Sequence, residues 1–104
     1  MKEILPEVEA WRDAGEKVVV ATVVATRRSA PRPIGTSLAV SESGKMCGSV
    51  SGGCVESDVF DNAMAVMQDG EPRLLHYGIT DEMAWDVGLP CGGEIDVFVE
   101  EFER

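Results

Sequence analysis

Two short segments combine a cysteine with a pair of glycines, and these residue types could carry chemistry. The first is Ser51-Gly52-Gly53-Cys54 and the second is Pro90-Cys91-Gly92-Gly93. Glycine lets the backbone approach a ligand closely, and a cysteine thiolate is both a nucleophile and a ligand for soft metals. Each segment taken alone is also compatible with a tight turn around a buried cysteine. Two such segments in 104 residues predict that at least one thiol is used and that both loops meet at one small-ligand site.

A third segment concentrates positive charge. Arg27, Arg28 and Arg32 fall within six positions, and Pro31 and Pro33 lie among them. Arginine binds phosphate through its planar guanidinium group, and proline restricts the shape of a loop. We therefore expect Arg27 or Arg32 to bind an anionic group of the ligand. The alternative is a solvated turn with ordinary surface charges.

The composition argues against several classes of protein. The chain has 9 basic and 19 acidic residues and a net charge of −10, whereas nucleic-acid binding requires a surplus of Lys and Arg. No apolar run approaches the roughly 20 residues of a membrane span, and the N-terminus lacks the apolar core of a secretion signal. Three cysteines, one histidine and no C-x-x-C pair fit neither a disulfide framework nor a zinc site. We expect a soluble cytoplasmic protein with free thiols and no nucleic-acid or membrane partner.

The elements that position these segments follow from hydrophobic periodicity and from turn residues. Apolar spacing of i, i+4 and i+7 predicts helices, and Val-rich or alternating runs predict strands. The predicted helices cover residues 4–14 and 54–68, and the predicted strands cover 18–26, 36–41, 45–50, 73–77 and 95–99. Together they predict an α+β domain, a small mixed or antiparallel sheet of about five strands with two helices packed against it.

In this arrangement Cys54 begins the second helix, where unpaired N–H groups favour anions and thiolates. Glu56 and Asp58 in the first turn complement the helix dipole, but their negative charge opposes thiolate formation. The sequence therefore predicts a binding role for Cys54 more strongly than a catalytic one.

Residues 78–93 form a stretch of about 16 residues without periodicity, too apolar for a disordered segment. We interpret it as an ordered functional loop. The single histidine, His76, is predicted to be structural, and Cys47 is predicted to fill the core.

Three ordered motifs carry a resemblance to a known family. They are Ser29-Ala30-Pro31-Arg32-Pro33-Ile34-Gly35, then Gly48-Ser49-Val50-Ser51-Gly52-Gly53-Cys54-Val55-Glu56, then Gly88-Leu89-Pro90-Cys91-Gly92-Gly93-Glu94-Ile95-Asp96-Val97. The motifs resemble the XdhC/CoxI family, the accessory factors of xanthine dehydrogenase and related molybdenum hydroxylases. The resemblance covers roughly residues 5–100.

The resemblance implies a maturation factor that binds molybdenum cofactor (molybdopterin) as cargo, supports its sulfurated form and delivers it to an apoenzyme. The implied partners are an apo hydroxylase of the xanthine or carbon monoxide dehydrogenase type and a cofactor-sulfurating enzyme. No residue is assigned a catalytic role, unless Cys54 accepts sulfur, and Cys54 and Cys91 are candidate thiols near the molybdenum. The expected cofactor-binding residues are Arg27, Arg32, Ser51, Gly52, Gly53, Cys54, Cys91, Gly92 and Gly93.

Several alternatives stay open at this point. Many family members continue into a C-terminal Rossmann-like domain, whereas residues 1–104 are expected to form a single domain without it. A non-enzymatic chaperone is the leading hypothesis, and the alternatives are a thiol-dependent sulfur-transfer enzyme and a structural interaction module that docks onto another protein chain. A homodimer is also expected, because a small sheet has edges to pair or cover.

Overall fold

A computed structural model of the chain describes residues 4–27, 34–50, 55–78 and 94–102. All five strands join one antiparallel sheet in the order β3-β2-β1-β5-β4. The α+β prediction is confirmed, and the strand pairings are antiparallel rather than mixed. Element bounds differ from the predicted ones by one or two residues. The elements are α1 (Leu5–Asp13), β1 (Val18–Arg27), β2 (Ser37–Ser41), β3 (Met46–Gly48), α2 (Glu56–Asp69), β4 (Arg73–Gly78) and β5 (Glu94–Glu101).

The two helices pack on opposite faces of the sheet. Successive residues of a strand point to opposite faces, and β1 is buried on both. Val19, Ala21 and Val23 belong to the larger core cluster under α2, whereas Val18 and Val20 belong to a second cluster with α1. The apolar stripe of α2 that faces the core consists of Val59, Ala63, Val66 and Met67.

The face that carries α1 is only partly covered. Helix α1 packs on β1 and β2 through Ile4 and Val8, which are fully buried. Farther along the same face, Leu74 of β4 is 64% exposed, and Val24, at a register shift between β1 and β5, is 45% exposed. We call this uncovered area, with Leu74, Val24 and the half-buried Phe98, the open face. Neither helix in the described ranges has the length and apolar character needed to cross a bilayer.

Candidate functional site

Two of the three sequence segments singled out above leave the sheet at the same row, and the other, segment 51–54, follows β3, which runs in the same direction but ends farther back. Strands β1 and β4 run in one direction and finish at this row, and β5, antiparallel to them, begins there. In the strand register Arg27 pairs with Glu94, and Glu94 pairs with Gly78. Segments 28–33 and 79–93 therefore leave neighbouring strands at one row of the sheet. We call this end, marked by Arg27, Gly78 and Glu94, the motif end. Gly48 is not in this row, because it lies beside Leu38 and Ala21, six residues back along β1 from Arg27.

The candidate ligand-binding residues themselves lie outside the described part of the chain. This holds for Arg32, for segment 51–54 with Cys54, for segment 91–93 with Cys91, and for the side chain of Arg27. Their mutual contacts stay a prediction. The structure describes the residues that flank them, and these flanking residues determine where each segment begins and ends.

The connection from β3 to α2 depends on a close backbone approach at Gly48. Its φ of +90° lies in the left-handed region, and an added Cβ would lie 2.3 Å from the carbonyl oxygen of Ser37 and 2.8 Å from Cγ2 of Ile4. The next amide, of Ser49, donates a hydrogen bond of 3.1 Å to the same Ser37 oxygen. Only glycine fits here without a shift of the neighbouring backbone, so the chain enters segment 51–54 from a fixed position.

The carboxylate of Glu56, which follows segment 51–54, is hydrogen-bonded to the two residues that precede the segment. Its Oε2 atom accepts a hydrogen bond of 2.6 Å from the Ser49 hydroxyl and one of 2.9 Å from the Val50 amide. The first turn of α2 is thereby tied to the two residues that precede segment 51–54. In the sequence Glu56 stands out as a negative charge near the helix start and near Cys54, and its place at the end of the second motif was the available signal for a structural role.

A buried tyrosine joins the second and third segments. The Tyr77 hydroxyl donates a hydrogen bond of 2.5 Å to Oδ2 of Asp58, in the first turn of α2. Burial raises the pKa of Tyr77, and the hydrogen bond to Asp58 and the negative charge of that carboxylate raise it further. Tyr77 lies two positions before segment 79–93, and Asp58 lies four positions after Cys54. The attachment points of the two glycine–cysteine loops are therefore hydrogen-bonded to each other.

The sequence did not point to this link. Tyr77 is the only tyrosine of the chain, and its place at the end of a strand, beside the stretch without periodicity, was the available signal. Asp58 stands out in the sequence only as a charge in the first helical turn. Its second donor, the side-chain amide of Asn62 at 3.3 Å, lies one turn further along α2.

His76 has a partner across the strands. Its Nδ1 atom lies 2.5 Å from Oδ1 of Asp96, its register partner on β5. The pair is on the face opposite Tyr77, and His76 is about half exposed. This partner was not identifiable from the sequence, and the structural role of His76 stays a prediction.

The remaining described groups do not form a second centre near the motif end. Cys47 is half-buried and packs against the cluster under α1, in agreement with a core role. Within the described ranges no group of three or more His, Cys, Asp or Glu side chains is arranged to hold a metal ion. A pocket of about 220 Å³ lies at the opposite end of the sheet, between Arg12, Lys17 and Phe102. It is smaller than most ligand sites and contains no residue of the three motifs.

Comparison with known proteins gives consistent results. The model of the XdhC and CoxI family matches residues 11–78. The chain is 42% identical over 83 residues to the molybdenum cofactor insertion chaperone PaoD of Escherichia coli K12, covering 79% of this chain and 26% of that protein. It is 35% identical over 98 residues to a probable xanthine dehydrogenase subunit of Bacillus subtilis 168, covering 92% of this chain and 30% of that protein.

A solved structure supports the fold as well. A crystal structure of a xanthine dehydrogenase from Bacillus halodurans superposes with a TM-score of 0.78 at 30% sequence identity, over 95% of this chain and 30% of that one. The chain thus spans between a quarter and a third of the length of these relatives. Because the family model matches more than half of the chain and a solved relative has the same fold, the chain belongs to the XdhC and CoxI family.

Proposed function

We propose that this chain binds molybdenum cofactor at the motif end and takes part in its insertion into an apo molybdenum hydroxylase. The observation that carries the proposal is the Tyr77–Asp58 hydrogen bond, because it joins the attachment points of both glycine–cysteine loops. Family membership and the name of the Escherichia coli relative, a molybdenum cofactor insertion chaperone, support the choice of cargo. The client would be an enzyme of the xanthine or carbon monoxide dehydrogenase type in the cytoplasm.

The chemistry of the three segments suits the two ends of this cargo. Arg27 and Arg32 would bind its phosphate through charge-assisted hydrogen bonds. Cys54 and Cys91 would lie towards the molybdenum and dithiolene end, where soft sulfur atoms are compatible neighbours. Ser51, Gly52, Gly53, Gly92 and Gly93 would line the cavity with accessible backbone.

The described residues favour one position for the phosphate. Glu56 and Asp58 place two carboxylates in the first turn of α2, so the helix start already has negative charge close to its N–H groups. An anion bound there would be repelled by both carboxylates. We therefore assign the phosphate to the arginine segment rather than to the start of α2.

Direct binding of the cargo tests the proposal. The chain would be produced in cells that synthesise the cofactor, purified, and analysed for molybdenum and pterin, and its affinity for isolated cofactor would be measured. Cys54→Ala and Arg32→Ala should each weaken binding, whereas Cys47→Ala and Arg12→Ala, which lie away from the motif end, should not. Absence of cofactor binding by the wild-type chain would overturn the function, and unchanged affinity in both site variants would overturn the site.

The same site could also assist sulfuration of the bound cofactor, in addition to carrying it. In that case Cys54 would carry a persulfide, and the cofactor-sulfurating enzyme would be a second partner. In the transfer step the Cys54 thiolate would attack the outer sulfur of a donor persulfide and release the donor's thiolate. Trapping of thiols after incubation with such a persulfide donor, followed by mass spectrometry, separates the two roles. A persulfide confined to Cys54 supports sulfur transfer, and its absence leaves the chain as a carrier only.

A further inference from the structure

The two edges of the sheet differ in how well they are protected. Edge β3 is three residues long and ends at Gly48, whose left-handed conformation turns the chain away. Edge β4 is six residues long and contains no proline, lysine or bulge. Among the described residues no strand pairs with its outer side. A regular, unprotected edge strand is a template for pairing with another strand.

The side chains of β4 suit a second copy of the same chain. The chain has a net charge of −10, and like charge opposes self-association. Strand β4 carries no acidic residue, and its Arg73 lies against Asp69 and its His76 against Asp96. Positive and negative groups are therefore interspersed along this edge, and two copies can approach there with less repulsion than the net charge implies. Leu74, 64% exposed, adds apolar area that a partner strand would cover.

We propose that two copies of this chain associate by antiparallel pairing of β4 with β4 about a two-fold axis. Facing side chains of paired strands must lie on the same side of the sheet. In β4, Leu75 and Tyr77 face α2, and Leu74 and His76 face the other side. Because the side chains alternate, a residue of β4 must face a partner residue an even number of positions away in the sequence, or its own copy. The two-fold axis therefore passes beside a residue that faces its own copy and not between two residues. With Leu75 on the axis, Leu74 faces the partner's His76 and Arg73 faces the partner's Tyr77.

Charge complementarity supports this register. On the α2 side of β4, a row of polar contacts runs from Tyr77 and Asp58 through Asn62 to Arg73 and Asp69. Among the described residues, the carboxylate of Asp58 at one end of the row accepts hydrogen bonds from a phenol and an amide, and Arg73 lies at the other end. A two-fold axis through Leu75 brings Arg73 beside the partner's Asp58, and the reciprocal contact forms as well. Opposite charges across paired strands stabilise a sheet.

The pairing has a consequence for the cargo sites. Because the two β4 strands run antiparallel, the motif ends of the two copies lie at opposite ends of a continuous ten-stranded sheet. The dimer would therefore carry two separate cofactor sites, one at each end. This inference does not depend on the identity of the cargo.

Sedimentation velocity over a range of concentrations tests the proposal. The wild-type chain should show a monomer–dimer equilibrium, and Leu74→Lys, which places a charge on the edge strand, should raise the dissociation constant about tenfold or more. The matched control is Val24→Lys, the same kind of change at an exposed apolar residue of an inner strand. It should leave the dissociation constant unchanged. Arg73→Glu should also weaken the dimer, because it places a carboxylate beside the partner's Asp58.

Three outcomes would overturn the proposal. The first is a wild-type chain that stays monomeric at about 100 μM, a concentration that would reveal even weak pairing. The second is a dimer that persists in Leu74→Lys. The third is equal loss of the dimer in Val24→Lys, which would indicate the open face rather than the edge. If the lysine variant does not fold, hydrogen exchange of the wild-type chain tests the same pairing. The amides of β4 should become more protected as the protein concentration rises, and unchanged protection would overturn the proposal.

Discussion

Tyr77 is the residue on which the arrangement of the motif end depends most directly. Its hydroxyl joins β4 to the first turn of α2 through Asp58. Tyr77→Phe removes one donor from a carboxylate that retains Asn62. We expect a loss of about 1–3 kcal/mol in the free energy of unfolding, measured by urea denaturation, together with weaker cofactor binding. Unchanged stability and affinity would show that the bond does not hold the two loops together.

The same residue predicts a dependence of stability on alkaline pH. The pKa of Tyr77 is raised by burial and by Asp58, so the folded state retains the phenol proton more firmly than the unfolded state. The stabilisation is fully present below the unfolded-state value of about 10 and is lost as pH rises above it. Because Tyr77 is the only tyrosine, absorbance of the phenolate reports on it alone. Phenolate should appear only as the chain unfolds, and Tyr77→Phe should lessen the alkaline loss relative to the wild type.

Gly48 is the second residue whose identity the structure strictly requires. Alanine there would combine a left-handed backbone with an overlap at the Ser37 carbonyl oxygen, so we expect a loss of about 3 kcal/mol or more. Gly15→Ala is the matched control, because Gly15 has a φ of +85° and no atom within 4 Å of an added Cβ. It should cost only about 1 kcal/mol. Equal losses in thermal or urea unfolding would assign the whole effect to the backbone angle.

At the scale of elements, the first turn of α2 is hydrogen-bonded both to the residues that precede segment 51–54 and to strand β4. Glu56 holds the residues before segment 51–54, and Asp58 holds β4. Glu56→Ala should leave the Val50 amide without its acceptor, reduce stability by about 1–2 kcal/mol and weaken cofactor binding. Asp61→Ala, an exposed position of the same helix, is the control. Cofactor affinity equal in the two variants would indicate that segment 51–54 does not need this anchor.

Local sequence patterns predict the secondary-structure elements of this chain but not how the helices are placed on the sheet. Periodicity predicted each helix and strand within one or two residues, because the apolar stripe of α2 and the alternation in β5 are local properties. Which helix covers which face of β1 was not predictable in this way. It depends on β1, whose residues are apolar on both faces, and such a strand accepts a helix on either side.

At the scale of the whole molecule, charge is the dominant feature. A net charge of −10 on 104 residues makes the compact state repel itself, and salt screens that repulsion. We expect the melting temperature at pH 7 to rise between low salt and about 0.5 M NaCl. The gain should shrink towards pH 4.4, the isoelectric point of the sequence, where the net charge vanishes. A salt effect of equal size at both pH values would point to a cause other than charge.

The sequence by itself determined the secondary-structure elements, the three motifs and the family to which they belong, since each of these is written in short stretches of residues. Tertiary structure alone decided that segments 28–33 and 79–93 leave one row of the sheet and that the first turn of α2 lies beside that row. This arrangement is created by pairing β1 with β5, whose partners Arg27 and Glu94 are far apart in the chain, and by the hydrogen bond from Tyr77 to Asp58. No local periodicity encodes such long-range pairings, because they arise only when the strands share a sheet and bury a common core.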